Sequence, residues 1–283
     1  MGHPVRVGLF LQPQSHSLDV IREAWRIADE GGADHIWGFD HLLAIGDDLA
    51  LPVHDGGSVL TMMALTIKRA RFGLHVFGNL YRHPGLLAKI AVTADHLSGG
   101  RLEMGIGAAW KEIEFTQIGM PFPGARERIE RLDEACAVLR LLWTEPRATF
   151  RGEHYVLEDA ICEPKPVQRP HPPIWIGGSG PRRTLRVVAR HADVWNSNNR
   201  DFTENVALAA ILDEHCRAIG RDPALVRRSA ELRFESVDEA AAAARAYVAA
   251  GFTELIVRVV GPDPRGFIER AARELIPRLK QLA

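Results

Sequence analysis

The apolar positions near the start of the chain change period after about a dozen residues. Residues 5–11 form a short, mostly apolar run that is typical of a buried strand. Four apolar residues then recur at helical spacing before a glycine pair: Leu18, Ile21, Trp25 and Ala28, then Gly31 and Gly32. A buried strand followed by an amphipathic helix is the basic unit of a parallel α/β sheet. The pattern predicts one such unit over residues 5–32.

The same strand-then-helix pattern recurs along the rest of the chain. Further strands are predicted over residues 35–38, 71–77, 102–106, 173–177, 193–195, 229–234 and 254–259. Helices are predicted over residues 59–67, 84–94, 126–143, 181–190, 204–220, 237–250 and 265–281. Eight units in 283 residues favour an α/β fold closed into a (β/α)8 TIM barrel over an open sheet. We expect a single domain over residues 1–283.

One segment departs from this alternation. Between about residues 145 and 173 the chain carries prolines at positions 164, 166, 170, 172 and 173. Proline lacks a backbone donor and disfavours the interior of a helix. We therefore expect an extended insertion before the fifth strand.

Composition and charge remove several classes of function. Lys and Arg number 35 against 36 Asp and Glu, so a net charge of -1 gives no overall positive field for nucleic acid or anionic lipid. Three widely spaced cysteines argue against a disulfide framework or a zinc site and for a reduced, cytoplasmic setting. The longest apolar stretch, residues 59–67, is too short to span a bilayer. We expect no metal, no nucleic-acid partner and no membrane partner.

Polar residues that directly follow predicted strands are the first candidates for chemistry, because a parallel barrel places its site at the carboxyl ends of the strands. Asp40 and His41 follow the second strand. An imidazole titrates near neutrality and can transfer a proton, and the adjacent carboxylate can orient it or contact a cofactor. The alternative is a loop histidine in water. His75 ends the third strand, where it is either functional or buried and satisfied by a neighbour.

Small residues end the next two predicted strands. The fourth strand ends in small residues that let a ligand approach the backbone: Gly107, Ala108 and Ala109. The fifth ends in a turn that precedes a predicted helix: Gly177, Gly178, Ser179 and Gly180. Backbone N–H groups and a helix N-terminus attract an anion such as a phosphate. The alternative for this turn is a tight connection that binds nothing.

Three short segments follow one another between Tyr81 and Glu114. They are Tyr81-Arg82-His83-Pro84 before a predicted helix, Leu97-Ser98-Gly99-Gly100-Arg101 after it, and the segment from Gly105 to Glu114. In these segments the chain resembles the bacterial luciferase-like monooxygenase superfamily, and within it the oxidoreductases that use the deazaflavin coenzyme F420. The resemblance covers nearly the whole chain and becomes weaker after about residue 200.

The resemblance implies roles for individual residues. The Asp40-His41 pair would contact the cofactor and transfer a proton. A cis peptide bond between His75 and Val76 would press against the back of the cofactor ring, and the glycine turn at 177–180 would hold a phosphate of FMN or of the deazaflavin. In some deazaflavin dehydrogenases an acidic proton donor stands at the position of Trp110, so a sugar-phosphate dehydrogenase activity is not implied here.

The leading interpretation is an oxidoreductase that transfers a hydride between coenzyme F420 and a small organic substrate, with His41 as acid or base. One alternative is an FMN-dependent monooxygenase that works with a separate flavin reductase. Another is a phosphosugar isomerase or aldolase. Such an enzyme would need a lysine or glutamate at a strand end, whereas Lys89 and Lys111 both fall in stretches predicted to be helical. A flavin-binding protein without turnover is the third. Since close relatives commonly pair through barrel helices, we expect a homodimer.

Overall fold

Eight parallel strand positions close into a barrel in the computed structural model of the chain, which describes residues 3–197 and 201–282. The strands of this sheet are β1 (Arg6–Phe10), β2 (His35–Gly38), β3 (Arg71–Leu74), β4 (Phe77–Gly78), β5 (Met104–Gly107), β8 (Ile174–Gly177), β9 (Val194–Asn196), β10 (Arg227–Leu232) and β11 (Glu254–Arg258). Their order is β3-β2-β1-β11-β10-β9-β8-β5-β4. The predicted TIM barrel is confirmed.

The helices pack outside this sheet and follow the strands as predicted. They are α1 (Leu18–Glu30), α2 (Gly56–Thr66), α3 (Pro84–Ser98), α4 (Glu112–Gln117), α5 (Ala125–Thr144), α6 (Thr184–His191), α7 (Phe202–Ala218), α8 (Val237–Ala249), α9 (Pro264–Arg270) and α10 (Ile276–Lys280). The ends of α3 show why the sequence fits. The His83 side chain accepts a hydrogen bond from the Gly85 N–H at 3.0 Å, Pro84 needs no donor at the first position, and Gly99 ends the helix with a φ of 67°.

The third predicted strand is two strands rather than one. A cis peptide bond joins His75 to Val76 and separates β3 from β4, as the resemblance implied. β3 pairs with β2, and β4 pairs with β5, so this broken strand closes the barrel. Glycine at 105 permits a close approach here, because a Cβ at that position would lie 2.0 Å from the Leu74 carbonyl oxygen.

Two further segments differ from the sequence expectation. The insertion contains an antiparallel hairpin, β6 (Ala148–Arg151) and β7 (Val156–Ala160), which the proline pattern did not predict. The predicted helix over residues 265–281 is interrupted by a π-helical turn, Ala271–Leu275, between α9 and α10. Pro277, near the start of α10, has no N–H to give to the preceding turn, and this explains the interruption.

Ionisable side chains fill the end of the barrel where the strands begin. Five of them are the first residues of their strands, and a sixth precedes β5: Arg6, His35, Arg71, Arg227, Glu254 and Glu103. We call this set the amino-end charge cluster. Glu103 and Glu254 are fully buried, and each contacts arginine. These ion pairs lie at the amino end of the barrel, so they support the fold rather than a ligand site, which is expected at the opposite end.

Candidate active site

A cavity of about 250 Å³ opens at the carboxyl ends of β2, β4, β5 and β8. Nine of the eleven predicted site residues line it: Asp40, His41, His75, Val76, Gly107, Ala108, Ala109, Gly177 and Gly178. The other two, Ser179 and Gly180, continue the same turn but do not line the cavity. Residues from four separate strand ends therefore meet at one place, as the barrel geometry requires.

Asp40 is buried beneath the cavity and holds the broken strand in place. Its Oδ2 accepts hydrogen bonds from the Gly78 N–H at 3.1 Å and from Arg82 at 2.7 Å. Burial raises the pKa of this carboxyl above its ordinary value, against the opposing effects of Arg82 and Gly78. Its Oδ1 makes no hydrogen bond within residues 3–197 and 201–282. Gly56 allows this burial, since a Cβ there would lie 2.2 Å from Oδ1.

His41 lines the cavity, and a carboxylate holds one of its ring nitrogens. Its Nδ1 lies 3.0 Å from Glu114 Oε1 and 3.1 Å from Oε2. The ring packs edge-on against Phe39 and Trp110, with centroids 5.0 and 5.6 Å away. Because Nδ1 is occupied, Nε2 is the ring nitrogen that a ligand in the cavity can reach.

Glu114 was not singled out by the sequence reasoning, which included it only as the last residue of a motif. It lies on α4 with its side chain fully buried. Burial opposes its ionisation, but hydrogen bonds from His41 and Tyr81 lower its pKa below the ordinary value. Burial and the bond to this carboxylate raise the pKa of Tyr81, which keeps its proton. No sequence signal distinguished Glu114 from Glu112, since the loop that brings His41 to it is remote in sequence.

His75 lies inside the barrel, where it lines the cavity floor. Its ring packs against Phe10 and Trp37 with centroids 5.2 and 5.8 Å away, and its Nδ1 lies 3.9 Å from Glu231. Burial lowers the pKa of His75, so the imidazole is neutral near pH 7. Its Nε2 has no hydrogen-bond partner in the part of the chain that the structure describes. Since this nitrogen is itself buried, His75 contributes a neutral ring to the cavity wall.

The turn after β8 and the first turn of α5 meet at the cavity. Gly178 adopts a φ of 135°, and a Cβ there would lie 2.8 Å from Thr184 Cγ2, so glycine is required at this turn. The first turn of α5 reaches the cavity through Ala125 and Arg128. The guanidinium of Arg128 lies 4.0 Å from the centre of the Phe122 ring. Sequence reasoning missed α5 because its turn is separated from the glycines by the whole insertion.

Trp110 stands at the mouth of the cavity, where the resemblance located an acid in some relatives. Its side chain is 61% exposed, although its ring contacts His41. It supplies an apolar surface rather than a proton. Lys89 lies in α3, whereas Lys111 precedes α4 and donates to the Ala44 carbonyl. Neither lysine lines the cavity, although the prediction of a helical position for Lys111 was wrong.

Metal-binding and membrane-spanning features are not found in the described residues. In the described residues no group of three or more His, Cys, Asp or Glu side chains could hold a metal ion. None of the helices described for this chain is long and apolar enough to cross a membrane. The cysteines Cys136, Cys162 and Cys216 are free and buried.

Comparison with known proteins places this geometry in a family. The sequence profile of the luciferase-like monooxygenase family matches residues 3–280. An F420-dependent glucose-6-phosphate dehydrogenase of Kineococcus radiotolerans is 26% identical over 99% of this chain and 98% of its own. An FMNH2-dependent dimethylsulfone monooxygenase of Pseudomonas putida is 32% identical, over 52% of this chain and 42% of its own.

A solved structure agrees with the fold. An F420-dependent secondary alcohol dehydrogenase, in complex with an F420-acetone adduct, aligns with a TM-score of 0.84 over 98% of this chain and 99% of its own. The two are 17% identical, so this likeness concerns the fold alone. The profile match extends over almost the whole chain, and the barrel fold agrees with it. The chain belongs to the luciferase-like monooxygenase family.

Proposed function

We propose that this protein is an oxidoreductase that transfers a hydride between coenzyme F420 and a small organic substrate. The observation that carries the proposal is the position of His41. Its ring lines a cavity at the carboxyl end of the barrel, with Nδ1 held by Glu114 and Nε2 left to face a ligand. An imidazole placed in this way can exchange a proton with a substrate oxygen.

The residues of the cavity fit a flat, anionic cofactor. Gly107 leaves the wall open beside Val76, since a Cβ at 107 would lie 2.8 Å from Val76 Cγ2. Asp40 and the neutral ring of His75 form part of the same wall, where a flat heterocycle would meet them. The turn at Gly178 and the side chain of Arg128 would hold its phosphate.

When bound, the deazaflavin would supply the hydride chemistry, and the protein would supply binding, orientation and proton transfer. His41 would hold or release the proton of the substrate oxygen. Trp110 would limit access of water from the cavity mouth. A second cavity of about 860 Å³ lies at the ends of β10 and β11, with Phe234 and Tyr247 in its wall, and among the described residues it shares no lining residue with the cavity of His41.

The names of the relatives support F420 over FMN. The relative named for glucose-6-phosphate matches this chain end to end, whereas the FMNH2-dependent relative matches about half of it. Trp110 stands where an acid was expected for a sugar-phosphate substrate, so we do not propose glucose 6-phosphate as the substrate of this protein. An isomerase or aldolase would need a reactive side chain such as a lysine in the cavity, and neither Lys89 nor Lys111 lines it. Only an assay of turnover distinguishes an enzyme from a flavin-binding protein that has no activity.

Cofactor titration tests the proposal directly. Purified protein should bind F420 more tightly than FMN and quench its fluorescence. Tight FMN binding without detectable F420 binding would support the FMN-dependent monooxygenase instead. We further propose a cytoplasmic homodimer, on the basis of the sequence.

The role of His41 is tested by its substitution once a substrate has been found by screening F420 reduction with alcohols and F420H2 oxidation with ketones, imines and activated alkenes. His41→Asn keeps a hydrogen-bonding side chain but cannot titrate near neutrality. Turnover should fall by roughly 10²–10⁴-fold while F420 affinity changes little. Wild-type turnover in this variant from pH 5 to 9 would exclude His41 as the proton-transfer group, since that range brackets the ordinary histidine pKa of about 6.5.

A further inference from the structure

We propose that Glu114 is the positioning residue for His41, and that it selects the ring tautomer in which Nε2 faces the cavity as a proton acceptor. This inference rests on the proposed function for its chemistry, although its geometry does not. Glu114 touches neither the cavity nor a ligand. It acts through the histidine that does.

The hydrogen bonds to Glu114 require an ionised carboxylate. Oε1 accepts from the backbone N–H groups of Leu42 and Leu43 at 3.2 and 3.0 Å and lies 3.0 Å from His41 Nδ1. Oε2 accepts from the Tyr81 hydroxyl. With donors on both oxygens, the carboxylate has no site at which a proton would improve its bonding. It is therefore an acceptor, and His41 Nδ1 must carry a hydrogen.

This arrangement fixes the neutral tautomer of His41. A proton on Nδ1 leaves the lone pair on Nε2, which is the ring nitrogen that Glu114 does not occupy. The two backbone bonds matter as well. They tie Glu114 to the loop that carries His41, so the carboxylate and the ring move together rather than independently. Stacking of Tyr81 on Phe115, with centroids 4.8 Å apart, holds the other oxygen in place.

The other charged groups around the pair have contacts of their own. Arg82 bridges the carboxylates of Asp40 and Asp55. The ammonium of Lys111, which precedes α4, donates to a backbone carbonyl of the loop after His41. Glu114 is therefore the anion in contact with the His41 ring. Its charge stabilises the imidazolium that forms when the ring takes up a proton.

The chemical consequence can be written for an alcohol substrate. A bound oxidised deazaflavin would accept the hydride of the carbinol carbon, and His41 Nε2 would take the proton of the O–H bond. The ketone would then lie beside a His41 imidazolium paired with the Glu114 carboxylate. In the reverse direction the same imidazolium returns its proton to the oxygen of the ketone. The buried carboxylate stays ionised throughout, as the orienting acid of a catalytic triad does.

The tautomer can be measured without cofactor or substrate. In ¹⁵N-labelled protein above the pH at which His41 titrates, the ring nitrogens should report hydrogen on Nδ1 and a lone pair on Nε2. His41→Asn identifies the signals. A hydrogen on Nε2 in the wild-type protein overturns the inference, whatever cofactor the protein uses. Failure of the proposed function would instead appear as absent F420 binding with the Nδ1–H tautomer intact.

Substitution of Glu114 tests the effect on rate. Glu114→Gln keeps the size of the side chain but can donate to Nδ1 and stabilise the wrong tautomer. We expect kcat to fall roughly 10²–10⁴-fold, with KM and the F420 Kd within about threefold of wild type. The pH profile of kcat should also change. Glu112→Gln, on the exposed side of the same helix, is the matched control and should change none of these.

Two results would contradict the proposal. If Glu114→Gln lowers kcat less than about threefold and leaves the pH profile unchanged, Glu114 does not position the base. If KM, Kd and thermal stability all worsen while the pH profile stays as in the wild type, Glu114 has a structural role instead. If the Glu114→Gln variant does not fold, the ¹⁵N measurement of the His41 tautomer in the wild-type protein decides the question.

Discussion

Removal of one buried charge at the amino end of the barrel should destabilise the protein in a way that depends on pH. Glu254 is the first residue of β11 and is fully buried. Arg6 Nη2 lies 2.9 Å from its Oε1, Arg227 contacts the same oxygen, and His35 Nε2 lies 3.3 Å from Oε2. The variant Glu254→Gln keeps the shape of the side chain and removes its charge.

The magnitude follows from the pKa of this carboxyl. Burial alone would raise the pKa, but the contact with His35 and the charges of Arg6 and Arg227 lower it from 4.5 to about 2. At 1.36 kcal/mol per pKa unit, ionisation in the folded state contributes about 3 kcal/mol. Because the folded pKa is depressed, this contribution is complete above pH 4.5 and is lost as the pH falls toward 2. Linkage gives a loss of about 2 kcal/mol by pH 3.

Urea unfolding at pH 7 and pH 3 measures this dependence. The difference in unfolding free energy between wild type and Glu254→Gln should shrink by about 2 kcal/mol between the two pH values. Comparison of the two proteins cancels the titration of the other carboxyls. The control is Glu30→Gln, on the exposed face of α1. Its difference from wild type in unfolding free energy should be the same at pH 7 and pH 3. A constant difference for Glu254→Gln would show that this carboxyl titrates alike in the folded and unfolded states.

Three further predictions concern the cavity and the assembly. Gly107→Ala should weaken F420 binding at least about tenfold in fluorescence titration, because its Cβ would lie 2.8 Å from Val76 Cγ2. The control is Gly124→Ala, whose Cβ would meet no atom within 4 Å, and this variant should bind F420 as the wild type does. Ser179→Asp should weaken cofactor binding by about 1 kcal/mol or more through repulsion of a phosphate, and Ser179→Asn should not; equal affinities would place the phosphate elsewhere. Light scattering at micromolar concentration should give about twice the chain mass of 31.4 kDa, and a clean monomer would remove the expectation of a homodimer.

Local periodicity was sufficient for most of the barrel. The strand at 35–38 and the helix at 237–249 lie within a residue of the prediction, because each is one apolar run with a glycine, serine or polar stop beside it. The hairpin β6–β7 was missed for a physical reason. Its strands are short and mostly exposed, so they carry no apolar alternation that a sequence pattern could reveal.

The site was predictable where it depends on strand ends. Gly107 and Gly178 stand out because small residues directly follow buried strands, and His41 stands out because it follows one as well. Arg128 and Thr184 line the same cavity from α5 and the start of α6. Their position depends on how the helices pack on the barrel, and no local pattern encodes that packing.

Buried glutamates show where sequence reasoning ends and geometry must take over. Glu254 and Glu114 are both fully buried, and both have a lowered pKa and a histidine neighbour. Their surroundings differ, because Glu254 is held by arginines at the closed end of the barrel, whereas the histidine beside Glu114 reaches a cavity. A charge saturated by arginine can contribute stability only, so Glu254→Gln should leave F420 affinity and kcat unchanged at pH 7. A charge that orients a titratable ring contributes to rate, so Glu114→Gln should lower kcat at the same pH. If Glu254→Gln lowered kcat and Glu114→Gln did not, the catalytic end of this barrel would have been assigned wrongly.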